Sequence, residues 1–323
     1  MTTNQEEIER QLRILISYAW DGEVAFESIT TWLDNFNGVI LDKDLERLLA
    51  LFSISRFLYF SRRMVREMLR SLYRDYFRAP IMQRIRRNYS NTRDYNLLLH
   101  LYEAEKKGTR FIGVGNPSES GAHLLYYFRQ VNRLEKDLFI DISAAFEPVI
   151  ERDRNGIAEI KLKASSLDVS RYVFFDDLVG SGDQVSLYLE KKISMLRKDN
   201  PDIELKYLCL FGTKNGIARL NGPSLFAGNA SCLFELDDSY KAFHDQSRNF
   251  SNCPSWFVKA DFEKMARGYG SALKPECEAG HRDGQLMIGF SHNTPDNSLP
   301  IFWDEGQGKP WAPVFIRFDK NYG

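Results

Sequence analysis

The stretch YVFFDDLVGSGDQVS, residues 172 to 186, constrains the fold of this chain more than any other segment. Four apolar residues, two adjacent aspartates, a turn with two glycines and a set of polar residues that open a helical pattern follow one another without a break. A short apolar run bounded by turn residues is the mark of a strand buried on both faces, as in a parallel sheet covered by helices. In such sheets ligands bind outside the carboxyl ends of the strands, where a strand gives way to a helix N-terminus. The turn Gly180, Ser181, Gly182, Asp183, Gln184 lets several N–H groups converge on one anion, and the dipole of the helix that follows adds attraction, so it reads as a phosphate cradle. Asp176 and Asp177 are poor partners for a second phosphate. They suit hydroxyl groups, which donate hydrogen bonds to carboxylates, or a divalent cation. A ribose 5-phosphate satisfies both halves, with its phosphate on the loop and its ring hydroxyls on the aspartates.

The rest of the chain supplies a setting for that strand. Residues 1 to 107 read as an all-helical region: apolar residues recur at spacings of three and four in EEIERQLRILISYAW, DLERLLALF and SRRMVREMLRSLYRDYF, with Pro80 expected to close the last and no strand pattern among them. From residue 108 the period changes. TRFIGVG is a short strand, SESGAHLLYYFRQVNRL a helix, and ERDRNGIAEIKLK a hairpin turning at Asn155 and Gly156. The strand RYVFF, the helix QVSLYLEKKISMLRK, the strand IELKYLCLFG and the segment TKNGIARL follow, then strand-like SCLFEL and a helix around WFVKADFEKMARGY. Strands alternating with helices imply an α/β domain with a mainly parallel sheet and flanking helices over residues 108 to 323. In the closing segment, HNTPDNSLPIFW and WAPVFIR, prolines forbid a central strand, yet Ile301, Phe302, Trp303 and Trp311 are too apolar for a free tail. They should pack back as a cover.

Composition narrows the class. Hydrophobic residues at 43% and charged residues at 27% fit a globular protein, and no run approaches the roughly 20 apolar residues of a membrane span. The polar start MTTNQEEIER does not resemble a signal peptide, so a cytoplasmic location without membrane contact is the expectation. Cys209, Cys232, Cys253 and Cys277 lack C-x-x-C spacing, so disulfides and structural zinc are not expected, and the first two, in apolar strand-like runs, read as reduced core thiols. A net charge of −1 argues against a protein coated for nucleic acid, but the charge is uneven. Between Arg56 and Arg93 stand eleven arginines against two acidic residues. Arg62, Arg66, Arg70, Arg74 and Arg78 recur every fourth residue, about 6 Å apart along a helix and comparable to successive phosphates. This row is a candidate surface for nucleic acid or a partner, or a solvated face paired with acidic neighbours.

The segment FFDDLVGSG resembles the signature of the type I phosphoribosyltransferases, in which four apolar residues, two acidic residues and a Thr/Ser-Gly loop bind phosphoribosyl pyrophosphate. It departs from that signature at Asp183 and Gln184, where the family commonly has Gly or Lys followed by Thr or Ser. A carboxylate there should weaken phosphate affinity unless it points outward. The resemblance implies that the loop after the first strand, with Gly115, Asn116, Ser118, Ser120 and Gly121, holds pyrophosphate. That loop has no Lys or Arg and carries Glu119, so binding pyrophosphate there would rely on cations from elsewhere, such as those of the ERDRNGIAEIKLK hairpin, or on Mg²⁺, the expected cofactor, held at Asp176 and Asp177 through water or substrate. Asp176, Asp177 and Glu119 are the candidate catalytic carboxylates. The hairpin with Arg152, Arg154, Lys161 and Lys163 corresponds to the hood that closes over substrate. Lys214, after Thr213, falls where some relatives place a lysine on the base, and His292, Asn293 and Asn297 are candidates for the acceptor pocket. Over nearly the whole chain, with the strongest points at LALFSISRFLYFSRRMV, VGNPSESG, FFDDLVGSG and HNTPDNSLPIFW, the sequence is similar to the domain called PRTase-CE, found in bacterial conflict systems and as an accessory protein of some retrons. This implies an anti-phage effector acting on nucleotides or nucleic acid, as an oligomer or in a complex with a reverse transcriptase and its DNA–RNA product. The residues leave two other readings open, a nucleotide-sensing module without catalysis and a nucleic-acid-binding protein.

Overall fold

The computed structural model of the chain describes residues 2–115, 120–152, 158–165, 168–306, 308 and 310–318. In chain order its elements are α1 (Thr2–Ile14), α2 (Phe26–Leu33), α3 (Lys43–Ile54), β1 (Leu58–Phe60), α4 (Arg62–Leu72), α5 (Ala79–Asn88), α6 (Tyr95–Lys107), β2 (Thr109–Gly113), α7 (Ser120–Asn132), β3 (Phe146–Arg152), β4 (Ala158–Ala164), β5 (Arg171–Val179), α8 (Asp183–Asp199), β6 (Glu204–Thr213), α9 (Lys214–Leu220), β7 (Ala230–Leu236), α10 (Lys259–Leu273) and β8 (Ile288–Phe290). They gather into two compact units, one made of Met1–Val65 with Leu236–Gly323 and the other of Arg66–Glu235. The expected change from helices to sheet near residue 107 is where α6 ends and β2 begins, inside the second unit.

The second unit is built on a four-stranded sheet in the order β2-β5-β6-β7. β2 and β6 both pair parallel to the central β5, so the α/β fold with a parallel sheet and flanking helices is observed. β5 is covered on both sides because its alternate residues feed two apolar layers. Tyr172 and Phe174 share one core with Leu189 and Ile193 of α8, whereas Phe175 meets Phe128 of α7 at a ring distance of 5.0 Å. At the start of the strand the buried Arg171 donates to Glu204, its partner in the β5–β6 register, and to Glu105. Burial alone would raise the Glu204 carboxyl, but the hydrogen bonds and charge of Arg171 hold it below the usual carboxylate value. β3 and β4 form the expected antiparallel hairpin; its turn, with Arg154, Asn155 and Gly156, lies outside the described residues.

The first unit has its own core, in which the C-terminal segment does pack back, and its partners there are the N-terminal helices. Trp32 of α2 stacks on Phe302 at 5.4 Å, and its indole N–H donates to the Ile301 carbonyl at 2.6 Å. Phe57 stacks on Phe315 at 4.1 Å. Two expectations fail in detail. Residues 58–60 form a strand parallel to β8 rather than continuing the helical pattern, a pairing 230 residues away that no local period announces. Nor does Pro80 end its helix. A π-helical turn, Tyr73–Arg78, joins α4 to α5, and Pro80 sits in the first turn of α5, where a missing N–H is tolerated.

Candidate functional site

The two aspartates lie where β5 runs past its neighbour: β2 ends at Gly113, opposite Phe175, while β5 continues to Val179. Asp176 is half-buried and Asp177 buried. The Asp176 carboxylate accepts the backbone N–H of Asp177 at 2.9 Å on one oxygen and the hydroxyl of Tyr207 at 3.1 Å on the other. Tyr207 is fully buried in β6. Burial, reinforced by the charge of Asp176, pushes its hydroxyl well above the ordinary tyrosine value, so it remains a donor throughout the physiological range. Asp177 accepts the N–H of Leu178 at 2.7 Å. A carboxylate offers about four acceptor positions, so these contacts orient the pair at the carboxyl end of the strand.

Immediately beyond, the chain turns through the glycine loop. Gly182 takes a left-handed conformation (φ 74°) and caps α8. A non-glycine residue is strained there, which explains the glycine. The Asp183 N–H is met by the Ser181 hydroxyl at 3.3 Å, and Ser186 donates back to the Gly182 carbonyl at 2.7 Å. Behind the loop stands the start of α9. Thr213 donates to the Gly180 carbonyl at 2.6 Å and accepts the Gly216 N–H at 3.0 Å. A Cβ on Gly216 would sit 2.2 Å from the Gly180 oxygen, so only glycine lets α9 approach this closely. Gly180 and Ser181 are half-buried, Gly182 is buried and Gln184 is exposed. Asp183, the residue that seemed to spoil the cradle, forms an ion pair with Arg219 of α9.

The loop after β2 opens at the same end of the sheet. The Gly115 carbonyl accepts the Tyr188 hydroxyl from α8 at 3.2 Å. Gly121, in the first turn of α7, packs so tightly on the strands that a Cβ would lie 2.8 Å from the Val114 carbonyl oxygen and 2.9 Å from that of Phe175. Asn116, Ser118 and Glu119 lie outside the described residues, and Ser120 begins α7. Lys214 is exposed on the first turn of α9, at the carboxyl end of β6. Asn293 belongs to the first unit, where its side-chain oxygen accepts the Phe318 N–H at 3.1 Å, and Asn297 donates to the His281 carbonyl at 3.2 Å. In the hairpin, Lys163 pairs with Glu151 at 2.7 Å and Arg152 is exposed.

The arginine row is less regular than its spacing suggests, because the π-helical turn advances more than four residues per turn between Arg74 and Arg78. Arg62, Arg66, Arg70 and Arg74 are exposed and Arg78 half-buried. Arg66 lies over the ring of Tyr127 at 5.1 Å and Arg78 over that of Tyr102 at 5.7 Å. Glu67 and Asp75, the two acids in this stretch, pair with Arg70 and Arg74 respectively.

Four contributors escaped the sequence: Tyr207, Tyr188, the tethering role of Thr213, and Arg219. Only Thr213 carried a signal, as a helix-capping residue before KNG. The described residues contain no cluster of three or more His, Cys, Asp or Glu side chains that could hold a metal. Asp176 and Asp177 still fit Mg²⁺, which keeps several waters and takes one or two carboxylates together with substrate phosphate oxygens. No helix among the described residues is long and apolar enough to cross a membrane.

The family model PRTase-CE matches residues 29–317. No curated protein matches the chain. Among solved structures it is similar to the Helicobacter pylori xanthine-guanine-hypoxanthine phosphoribosyltransferase, at 10% identity over 56% of this chain and 86% of that one, with a TM-score of 0.27. It is also similar to the AQ2163 protein from Aquifex aeolicus, at 11% identity over 65% of this chain and 80% of that one, with a TM-score of 0.26.

Proposed function

The chain belongs to the PRTase-CE family, and on that premise we propose that it is a phosphoribosyltransferase-like enzyme that binds the ribose 5-phosphate part of phosphoribosyl pyrophosphate or a nucleotide and transfers or hydrolyses it. The observation that carries this reading is the sheet order. β2, β5 and β6 are neighbours, so Val114 and Gly115, the Asp176–Asp177 pair with the 180–184 loop, and the Thr213–Lys214 turn stand on adjacent strands at one carboxyl edge. In this reading the 180–184 amides hold the 5-phosphate, Asp176 and Asp177 accept hydrogen bonds from the ribose hydroxyls, residues 115 to 121 hold the leaving group, and Lys214 faces the base or acceptor.

As the bond from C1 of ribose to its leaving group breaks, positive charge grows on C1 and the ring oxygen. Fixed carboxylates nearby, with Glu119 as a third candidate, stabilise that charge more than they stabilise the ground state. The same hydroxyl contacts hold the sugar in line with the acceptor. With water as acceptor the products are a free base or pyrophosphate and a phosphorylated sugar. Mg²⁺, when bound at Asp176 and Asp177 through water and substrate, would supply the charge neutralisation that a leaving-group loop without Lys or Arg lacks.

The family resemblance extends the proposal to a role: an effector of a bacterial anti-phage defence system, acting in the cytoplasm on nucleotides, and held in check as an oligomer or in a complex with a reverse transcriptase and its DNA–RNA product. A nucleotide-sensing module without catalysis is the second reading, favoured by that same absence of cationic side chains in the leaving-group loop. Incubation with labelled phosphoribosyl pyrophosphate and a nucleotide panel, with and without Mg²⁺, followed by mass spectrometry, separates the two. Turnover that disappears in Asp177→Asn supports the enzyme. Saturable binding without any product supports the sensor, and neither binding nor turnover overturns both.

A further inference from the structure

Asp183 puts a carboxylate in the first turn of α8, beside the amides that a phosphate would use. Unopposed, it would repel a dianion. The Arg219 guanidinium of α9 pairs with it, and Arg219 approaches the loop closely, its Cδ lying 3.4 Å from where a Cβ on Gly182 would stand. Asp183 is mostly covered (22% exposed), while Arg219 is half open (50%). The backing of the loop by Thr213 and Gly216 fixes α9, and Arg219 with it, to the same turn.

We propose that Arg219 is a positioning and specificity residue of the phosphate loop, held by Asp183, which cancels the carboxylate and makes the loop select a doubly charged phosphate. This rests on the phosphoribosyl reading above and adds to it a residue outside the loop and a rule for its charge. With Arg219 removed, Asp183 loses that counterion while its charge stays beside the amides, so the single change should harm phosphate binding more than removal of the pair. A pair that merely stabilised the fold would show no such order, and no dependence on the charge of the ligand.

The test is calorimetric titration of the full chain with ribose 5-phosphate at pH 8 and pH 5, on either side of the second phosphate ionisation near pH 6. Arg219→Gln should weaken binding about tenfold or more at pH 8, and less at pH 5, where the phosphate carries one charge. Asp183→Asn/Arg219→Gln should regain most of that loss, and Arg219→Lys should keep most of the wild-type affinity. Circular dichroism melting of each variant verifies that the fold persists. Unchanged affinity in Arg219→Gln overturns the inference while leaving the phosphoribosyl reading intact, as does a double variant no tighter than the single one. A wild-type chain that binds no ribose 5-phosphate overturns that reading and the inference together.

Discussion

Each unit buries a carboxylate, and the two stand in different settings. In the first unit Glu46 of α3 is wholly buried and accepts the backbone N–H groups of Gly38 (2.8 Å), Ile40 (2.8 Å) and Leu41 (2.7 Å) and the hydroxyl of Tyr269 (2.6 Å). It knots the 38–41 turn to α3 and α10, deep in a core of aromatic side chains. In the second unit Asp176 and Asp177 stand at the end of a strand that outruns its neighbour, next to a left-handed glycine and two loops. Burial and charge alone do not separate the structural acid from the pair proposed to bind substrate. What separates them is what the acid is built into: Glu46 closes a turn that has no other way to satisfy its amides, whereas the aspartates are held at an edge where strands end and loops begin.

The contrast breaks first at Glu46. Glu46→Ala deprives three backbone donors of their acceptor, at about 1–3 kcal/mol for each if nothing relaxes, and leaves the Tyr269 hydroxyl only the longer contact to Asn37 at 3.2 Å. A net loss of roughly 3–5 kcal/mol is expected, in the upper range for one substitution. The measurement is convenient because all five tryptophans (Trp20, Trp32, Trp256, Trp303, Trp311) belong to the first unit, so their fluorescence in a urea titration follows that unit. An unmoved transition would mean that the knot is ornamental.

Asp177→Asn should do the reverse. Asparagine keeps the oxygen that accepts from Leu178, so stability should change by less than about 1 kcal/mol, while turnover or binding of a phosphoribosyl ligand falls by about a hundredfold or more, the loss typical of a missing electrostatic group in a reaction centre. If Asp177→Asn instead unfolds the protein at wild-type activity per folded molecule, the two carboxylates are alike and the contrast collapses. Gly182→Ala sharpens the same point at smaller scale. The left-handed backbone costs a side-chain-bearing residue about 1–2 kcal/mol, and any relaxation of φ re-aims the amides of the loop. Ribose 5-phosphate affinity should therefore drop further than the melting temperature accounts for, as calorimetry on the folded variant would reveal.

Much of the second unit was legible because its signals are local. The apolar run, the paired acids and the glycine turn of β5, its loop and α8 occupy consecutive residues, and the alternation of strands with helices on either side left few topologies to choose from. The first unit was not legible in the same way. Glu46 sits in DLERLLALF as one more helical charge, and nothing nearby tells that its partners are a turn before it and Tyr269 far beyond it. β1 pairs across 230 residues, and the aromatic closing segment announced that it must be covered without saying by what. The site was partly hidden for the same reason: Asp183 was visible, but Arg219, its counterion, is joined to it only by tertiary folding.

The smallest expected effect distinguishes two ways in which the second unit uses acids. Glu204 lies at the opposite end of the sheet from the aspartates, and Arg171, with help from Arg84 and Lys206, overcomes its burial and keeps it below the ordinary 4.5. A carboxyl whose folded value is depressed contributes stability above its unfolded value, and that contribution fades as the pH drops through the folded one. Glu204 therefore supports the second unit in full at neutral pH, loses that support in the window beginning near 4.5 and extending below, and gives none once protonated in both states. Glu204→Gln should lower the melting temperature at pH 7 by a few degrees, read by far-UV circular dichroism, and the deficit should shrink steadily between pH 5 and pH 3. Tryptophan fluorescence, confined to the first unit, should be nearly blind to it. A deficit independent of pH would show that Glu204 acts through packing alone, and the charge pairing at the base of β5 would then be incidental to how the strand holds Asp176 and Asp177 at its other end.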